Sequence, residues 1–93
     1  MKALNEVYMS TDRSLAKMQT FVVRVRERRN LAQSQFAAAL GVAKGYVSKT
    51  EAIGFTRPPI VYIELLTKIM TKEEKAELLD LLNEYFTELL KLK

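Results

Sequence analysis

The sequence predicts an all-α protein of five helices in a single domain. Apolar residues recur at helical spacing along most of the chain, and no segment alternates between apolar and polar residues as a strand would. Both prolines and all three glycines lie between positions 41 and 59, so turn signals are confined to the middle of the chain. A length of 93 residues suits one domain with a limited core.

The N-terminal third of the chain predicts an arm followed by one long helix. Residues 1–11 have no clear period and are interpreted as an arm. A helix is predicted over about residues 12–29, where four apolar residues recur at helical spacing: Leu15, Met18, Val22 and Val25. Asn30 can adopt the left-handed conformation that ends a helix. Residues 12–70 are expected to form the body of the domain.

Two short helices separated by a glycine are predicted next. The first covers residues 33–40, and Gly41 supplies the turn that follows it. Its apolar face is formed by Phe36, Ala37 and Leu40. The second covers about residues 44–52 and directs Val47 inward.

A loop and two prolines precede the predicted fourth helix. The loop covers residues 54–57, and the helix covers about residues 60–71. Pro58 or Pro59 suits the first helical position, where a missing N–H costs nothing. The apolar residues of this helix are Ile60, Ile63, Leu66, Ile69 and Met70.

The last helix, predicted over about residues 72–92, begins with a capping box and carries two apolar stripes. Thr71 and Glu74 have the T-x-x-E spacing in which each side chain bonds the backbone N–H of the other residue. One stripe contains Leu78, Leu82, Tyr85, Leu89 and Leu92. The other contains Leu79, Phe86 and Leu90.

These two stripes exceed what packing on one domain requires, which predicts a homodimer joined through residues 71–93. The candidate interface residues are Leu79, Leu82, Tyr85, Phe86, Leu89 and Leu90. The alternative is a monomer that buries both stripes. The sequence does not decide which stripe faces outward.

Composition argues against catalysis, metal binding and membrane insertion. The chain has no cysteine and no histidine, which excludes disulfides, thiolate metal sites and the commonest general base. The carboxylates of the last helix alternate with leucines and are interpreted as a solvated face: Glu73, Glu74, Glu77, Asp80, Glu84 and Glu88. Neither a membrane span nor a signal peptide is evident. We therefore expect a cytoplasmic protein that is not an enzyme and needs no cofactor or metal ion.

Positive charge is concentrated in the middle of the chain. The net charge is +4 overall, +5 over residues 21–57 and −2 over residues 58–93. A basic middle followed by an acidic segment predicts a polyanionic partner for the middle only. Because a run of charges is usually a solvated helix face, charge alone does not establish a nucleic-acid partner.

Residues 31–51 combine the features that a helix-turn-helix needs. Ala37 is small where two helices approach backbone to backbone, and Gly41 lies where the turn leaves the right-handed region. The apolar contacts are supplied by Phe36, Leu40, Val42 and Val47. The outward positions of the following helix are small or basic, which suits entry into the major groove: Lys44, Gly45, Ser48 and Lys49.

The chain resembles the Xre/Cro-type family of helix-turn-helix regulators over about residues 21–70. The resemblance includes the pattern L-x-Q-x-x-F-A, the glycine turn, and Arg57-Pro58 at the start of the fourth helix. It implies a five-helix, lambda-repressor-like DNA-binding domain, followed by an amphipathic helix for dimerisation. Ala32 and Ala43 replace the Ser or Thr that is usual at the two helix starts, and each missing cap can cost about 1 kcal/mol.

The resemblance also implies roles for individual residues. Gln33 would contact a phosphate, and Arg57 would touch the DNA backbone from its loop. The bases in the groove would face Lys44, Gly45, Ser48 and Lys49. Tyr46 would either pack or reach a phosphate through its hydroxyl. Arg26 and Glu51 would form a structural pair between the first and third helices.

Plainer explanations stand beside these roles. Gln33 would otherwise be an exposed first-turn residue, and Lys44 and Lys49 would serve solubility alone. The remaining arginines are interpreted as a solvated face that adds long-range attraction to a polyanion. They are Arg24, Arg28 and Arg29.

The sequence thus predicts a transcriptional repressor that binds a palindromic operator in double-stranded DNA as a homodimer. One helix-turn-helix recognises only a few base pairs, so a twofold dimer is the usual way to a selective site. The alternative is an antitoxin that represses its own operon and binds a toxin protein through its arm or its last helix. A small toxin reading frame beside the gene would favour the antitoxin.

Overall fold

Five α-helices, numbered in chain order, account for most of the chain. In the computed structural model, which describes residues 2–91 and the side chains of residues 11–91, the helices are α1 Lys2–Glu27, α2 Gln33–Leu40, α3 Lys44–Ile53, α4 Ile60–Leu66 and α5 Lys72–Leu90. No strand occurs within residues 2–91, so the all-α prediction is confirmed. No helix in this range is long and apolar enough to cross a bilayer.

The helix α1 is longer than the sequence predicts. Residues 2–11, expected to be an arm, are helical and continuous with the rest of α1, while Met1 lies outside the described residues. No proline or glycine precedes Gly41, so nothing in the sequence interrupts the helix. The helix ends at Glu27, and Asn30 has the positive φ, 54°, that is expected of a helix end.

Side chains of α1 form the centre of the hydrophobic core. Phe21, Val22 and Val25 are fully buried in one cluster with residues from all four other helices. The other helical members of this cluster are Phe36, Ala37, Leu40, Val47, Tyr62, Leu66 and Leu78. Burying each large apolar side chain contributes about 1.5–3 kcal/mol. The helix α1 therefore fixes the positions of the other four.

A buried ion pair joins the end of α1 to the start of α5. Glu74, only 4% exposed, accepts hydrogen bonds from Arg29 Nη2 at 2.7 Å, Arg29 Nη1 at 3.1 Å and Arg28 Nη1 at 3.2 Å. It also accepts from the Thr71 N–H at 2.9 Å, while Thr71 Oγ1 accepts from the Glu74 N–H at 3.1 Å, which confirms the predicted capping box. The bond from Arg29, opposed by burial, lowers the pKa of Glu74 to about 2.

Further ion pairs, between largely exposed side chains, link α1 and the turn after it to α5. Lys17 Nζ lies 2.7 Å from Glu84 Oε1, and Arg24 Nη2 lies 3.0 Å from Glu77 Oε2. Arg28 also approaches Glu77, at 3.7 Å. The solvated interpretation is wrong for Arg29, whose side chain is 22% exposed, whereas the side chains of Arg24 and Arg28 remain 47% and 45% exposed. Helix pairing brings the acids of α5 opposite them, so this positive charge is largely neutralised within the protein.

The helix α4 is shorter than expected and ends at Leu66. Residues 67–69 form a turn, after which Met70 is buried. The Ile69 carbonyl accepts a hydrogen bond from Arg29 Nη2 at 2.7 Å. This bond takes the place of the backbone hydrogen bond that a longer α4 would give this carbonyl. Pro59 stands one position before the helix, as its N-cap residue, rather than at its first position.

Tyr85 of α5 belongs to the core of the subunit. It is 9% exposed and packs with Leu15 and Met18 of α1 in a second, smaller cluster. Its ring meets the ring of Phe86 edge to face, with centroids 5.2 Å apart. The prediction that Tyr85 lies in a dimer interface is wrong for this reason: the side chain fills the space between α1 and α5.

The second apolar stripe of α5 faces outward. Its exposed members are Leu79 at 58%, Phe86 at 45% and Leu90 at 54%. Leu89 is 39% exposed, and Leu82 is half-buried against both core clusters. Leu92, expected on the inner stripe, lies outside the described residues. Within one subunit, therefore, the stripe that faces outward is the one that contains Leu79, Phe86 and Leu90.

Candidate nucleic-acid interface

The helices α2 and α3 are joined by a tight turn at Gly41, as the sequence predicts. Gly41 is left-handed, with φ 75° and ψ 30°. Its N–H donates to Ala38 O at 3.2 Å, and the Val42 N–H donates to Ala37 O at 3.0 Å, which is the Schellman arrangement. The turn joins two short helices that share apolar contacts, in which Phe36, Leu40 and Val47 are buried in one cluster and Val42 packs against it.

An ion pair fastens α3 to α1. Arg26 Nε donates to Glu51 Oε2 at 2.7 Å, and Arg26 Nη2 donates to Glu51 Oε1 at 2.9 Å, so the contact is bidentate. The side chains are only 16% and 7% exposed. The hydrogen bond to Glu51 raises the pKa of Arg26. Removing either partner would leave a poorly solvated charge, at a cost of about 3–5 kcal/mol.

Two glutamines extend this network. Gln33 Nε2 donates to Glu51 Oε1 at 3.0 Å, and Gln19 Nε2 donates to the Glu51 carbonyl at 2.6 Å. Gln33 is therefore half-buried and has an internal partner, which corrects the view of it as a freely exposed first-turn residue. Its contact with a phosphate stays a prediction. A glutamine inside an amphipathic helix gives no sequence signal, which is why Gln19 was missed.

The outward face of α3 is small and basic. Lys44, Gly45 and Lys49 are exposed, and Ser48 is half-buried with its hydroxyl donating to Gly45 O at 3.4 Å. At about 100° per residue, these four positions span about 140° of the helix surface. Glu51, the one acidic residue of α3, is turned toward α1 instead. The face that would enter a groove therefore presents no carboxylate.

Unneutralised positive charge in residues 21–57 is restricted to three side chains. The four arginines of α1 and the turn after it are paired: Arg24, Arg26, Arg28 and Arg29. Lys44, Lys49 and Arg57 are exposed, and no ion pair involves them among the described residues. The basic character of the middle segment is therefore concentrated on α3 and the loop that follows it.

Tyr46 packs beside the outward face of α3. Its ring meets the ring of Tyr62 at an interplanar angle of 63°, with centroids 5.5 Å apart, and it remains 40% exposed. Of its two expected roles, packing is observed and a phosphate contact stays a prediction. Tyr62 is fully buried, and its hydroxyl has no hydrogen-bond partner among the described residues. Burial raises the pKa of Tyr62.

Both short helices begin without a side-chain cap. Gln35 Oε1 accepts from the Ala32 N–H at 2.8 Å, but Ala32 has no oxygen with which to accept from the first turn of α2. Ala43 likewise gives α3 no side-chain cap. Backbone N–H groups in the first turn of α2 are consequently left without a side-chain acceptor, a situation that favours an anion.

Comparison with known proteins gives no relative from which a function could be transferred. No family model, no curated protein and no solved structure matches the chain significantly. Among residues 2–91, no cluster of acidic side chains is arranged to hold a metal ion. The function is therefore inferred from the surface of α3 and its surroundings.

Proposed function

We propose that the protein is a transcriptional repressor that binds double-stranded DNA in a sequence-specific manner through α3. The proposal rests on one observation, which is the exposed, carboxylate-free face formed by Lys44, Gly45, Ser48 and Lys49. Lysine can donate to guanine O6 and N7, and serine can bond either kind of base. The ion pair of Arg26 with Glu51 supports this role because it holds the helix in one orientation.

Phosphate contacts would flank the recognition face. The uncapped first turn of α2 offers backbone N–H groups, and Gln33 stands at its first position. Arg57 is exposed in the loop between α3 and α4. Contacts of this kind fix the register of a protein on the duplex, whereas contacts from α3 would select the sequence.

Selection of binding sites from random duplex DNA, followed by footprinting, tests the proposal. On the selected site, Lys49→Ala should cost about 1–3 kcal/mol and relax the preference at one base position. Lys75→Ala is the matched control, because Lys75 is an exposed lysine on α5. Equal effects of the two substitutions, or unchanged specificity after Lys49→Ala, would exclude α3 as the recognition helix.

The salt dependence of binding provides a second measurement. If Lys44, Lys49 and Arg57 neutralise phosphates, the slope of log K against log salt should be about −2.7 per subunit and about −5 per dimer. The slope would be about twice as steep if Arg24, Arg28 and Arg29 also reached the DNA. A slope close to zero would contradict binding to a polyanion.

Dimerisation through the exposed side of α5, with residues from both stripes, is part of the proposal. Leu79, Leu82, Phe86 and Leu89 have the 3-4-3 spacing of a two-heptad seam, and three of them are more than a third exposed. An antiparallel pairing is favoured because, with the seam centred on residue 84, it keeps Lys72 of one subunit at the opposite end from Lys72 of its partner. A parallel pairing would place the N-terminal lysines of the two helices side by side.

Sedimentation at micromolar concentration distinguishes a dimer from a monomer. Phe86→Glu should dissociate the dimer without unfolding it, because the Phe86 side chain is 45% exposed. Thr87→Glu is the control, since it introduces the same charge about 100° away around an exposed part of the helix. A wild-type monomer that footprints a single half-site would contradict the dimer. A monomer whose α5 stripe binds a toxin from the same operon would favour the antitoxin instead.

A further inference from the structure

A second apolar surface lies where α3 passes into α4, away from the exposed stripe of α5. Its most exposed members are Ile53 at 71%, Val61 at 66% and Ile60 at 53%, with Tyr46 at 40%. None of these four belongs to either core cluster. Three aliphatic side chains more than half exposed at one place are typical of an interaction site. We call this set the α3–α4 surface.

Two adjoining clefts run through the α3–α4 surface. Their volumes are about 440 and 310 Å³, and they share Tyr46, Phe55 and Pro59 as lining residues. Ile60 and Val61 line the larger cleft, and Ile53 lines the smaller one. Clefts of this size beside exposed aliphatic side chains can receive the anchoring side chains of an apolar helix face.

The charged residues that line these clefts indicate which kind of partner they can bind. Lys49 and Arg57 are the only charged residues among the described residues that line them, and both are basic. A second copy docked through the same surface by twofold symmetry would bring basic side chains against basic side chains. Nucleic acid would satisfy the charges but would leave the aliphatic side chains uncovered. A protein segment that is apolar and acidic satisfies both.

We propose that the α3–α4 surface binds an acidic amphipathic helix of a partner protein, and that the binding of this helix displaces DNA. The apolar face of that helix fills the clefts, and its carboxylates pair with Lys49 and Arg57. Since the same two cations lie on the proposed DNA-binding side, the partner and DNA compete for them. The competition rests on the proposed function, whereas the binding of the acidic helix does not.

Direct binding of a probe tests the proposal without DNA. The probe is a synthetic amphipathic helix with leucines on one face and glutamates on its flanks, and the control peptide replaces every glutamate by lysine. Titration calorimetry should give saturable binding of the acidic peptide and at least tenfold weaker binding of the basic one. Equal binding of the two, or no binding of the acidic peptide, would overturn the proposal.

Substitutions then locate the site. Ile60→Ser combined with Val61→Ser should weaken the acidic peptide at least tenfold and leave the fold intact, because both side chains are exposed. Leu79→Ser with Phe86→Ser removes comparable apolar surface from α5 and should leave binding unchanged. If only the α5 pair weakens the peptide, the α3–α4 surface is not its site. If the Ile60 and Val61 pair instead lowers the sedimentation mass, the surface joins two copies and the proposal is wrong.

Competition with DNA is measured on the selected operator. The acidic peptide should displace labelled DNA from the wild-type protein but not from the Ile60→Ser, Val61→Ser variant. If no DNA binds at all, the proposed function fails, while the calorimetric result for the peptide still stands. If peptide and DNA bind together, the inferred competition is excluded.

Discussion

Replacing Glu74 by Gln should destabilise the protein strongly at neutral pH and hardly at all in acid. The pKa of Glu74 is about 2, compared with an ordinary value of 4.5, so ionisation is favoured in the folded state. At about 1.4 kcal/mol for each pKa unit, the folded protein gains about 3 kcal/mol from the ionised carboxylate. An amide resembles the protonated acid in shape and charge, so Glu74→Gln should lose about that amount.

The sign of the pH dependence follows from the lowered pKa. The stabilisation is fully present above pH 4.5, and it is lost as the pH falls from 4.5 through 2. Urea unfolding followed by circular dichroism at pH 7, 4.5, 3 and 2 measures the difference between the variant and the wild type. That difference should shrink from about 3 kcal/mol to less than about 1 kcal/mol.

Glu73→Gln is the matched control for this measurement. Glu73 lies in the same first turn of α5 but is exposed, so its substitution should change stability by no more than about 0.5 kcal/mol at any pH. A Glu74→Gln deficit that stays constant from pH 7 to pH 2 would show that packing, rather than charge, holds this residue. A deficit below about 1 kcal/mol at pH 7 would refute the assignment of a strong pair with Arg29.

Four further stability predictions can be checked by urea unfolding at pH 7. Gly45→Ala should stabilise by up to about 1 kcal/mol, because its Cβ meets no atom within 4 Å, yet weaken DNA binding if the groove needs close approach. Gly54→Ala should destabilise by about 1–3 kcal/mol, since φ is +81°. Stability changes of the same sign for Gly45→Ala and Gly54→Ala would contradict this reasoning. Ala43→Ser should gain about 1 kcal/mol by capping α3, unlike Ala39→Ser inside α2. Tyr62→Phe should stabilise by about 1 kcal/mol, because it removes a buried hydroxyl that has no hydrogen-bond partner among the described residues. A loss of stability would show that the hydroxyl does have a partner.

Local signals in the sequence were sufficient for the parts of the fold that depend on near neighbours. The turn at Gly41 and the capping box of Thr71 with Glu74 each involve residues within a few positions of one another. Their backbone requirements are visible in the residue types themselves. The same holds for the positive φ of Asn30.

Contacts between distant residues could not be deduced from the sequence in the same way. The opposition of Arg24 to Glu77 and of Arg29 to Glu74 depends on how α1 and α5 pack, and neither helix carries a signal for its partner. The helical start of α1 at residues 2–11 was missed because this segment of the sequence has no clear apolar period. The exposed lysines of α3 could be predicted because they are identified by their positions within a short sequence motif.

The helix α1 separates the proposed DNA-binding half of the protein from the proposed dimerisation helix. Gln19 and Arg26 hold α3, whereas Lys17 and Arg24 pair with α5. Lys17 and Gln19 are two positions apart, as are Arg24 and Arg26, and two positions correspond to about 200° around α1. The helices α3 and α5 therefore lie on opposite sides of α1. Neighbouring helices lie about 8–10 Å apart. In the proposed dimer, five such steps lead from α3 of one subunit to α3 of the other through α1 and α5 of each, so the two α3 helices would be at most about 40–50 Å apart. Consecutive major grooves lie about 34 Å apart, which is within this limit, so the proposed dimer would reach both grooves if the path between its α3 helices is bent rather than straight.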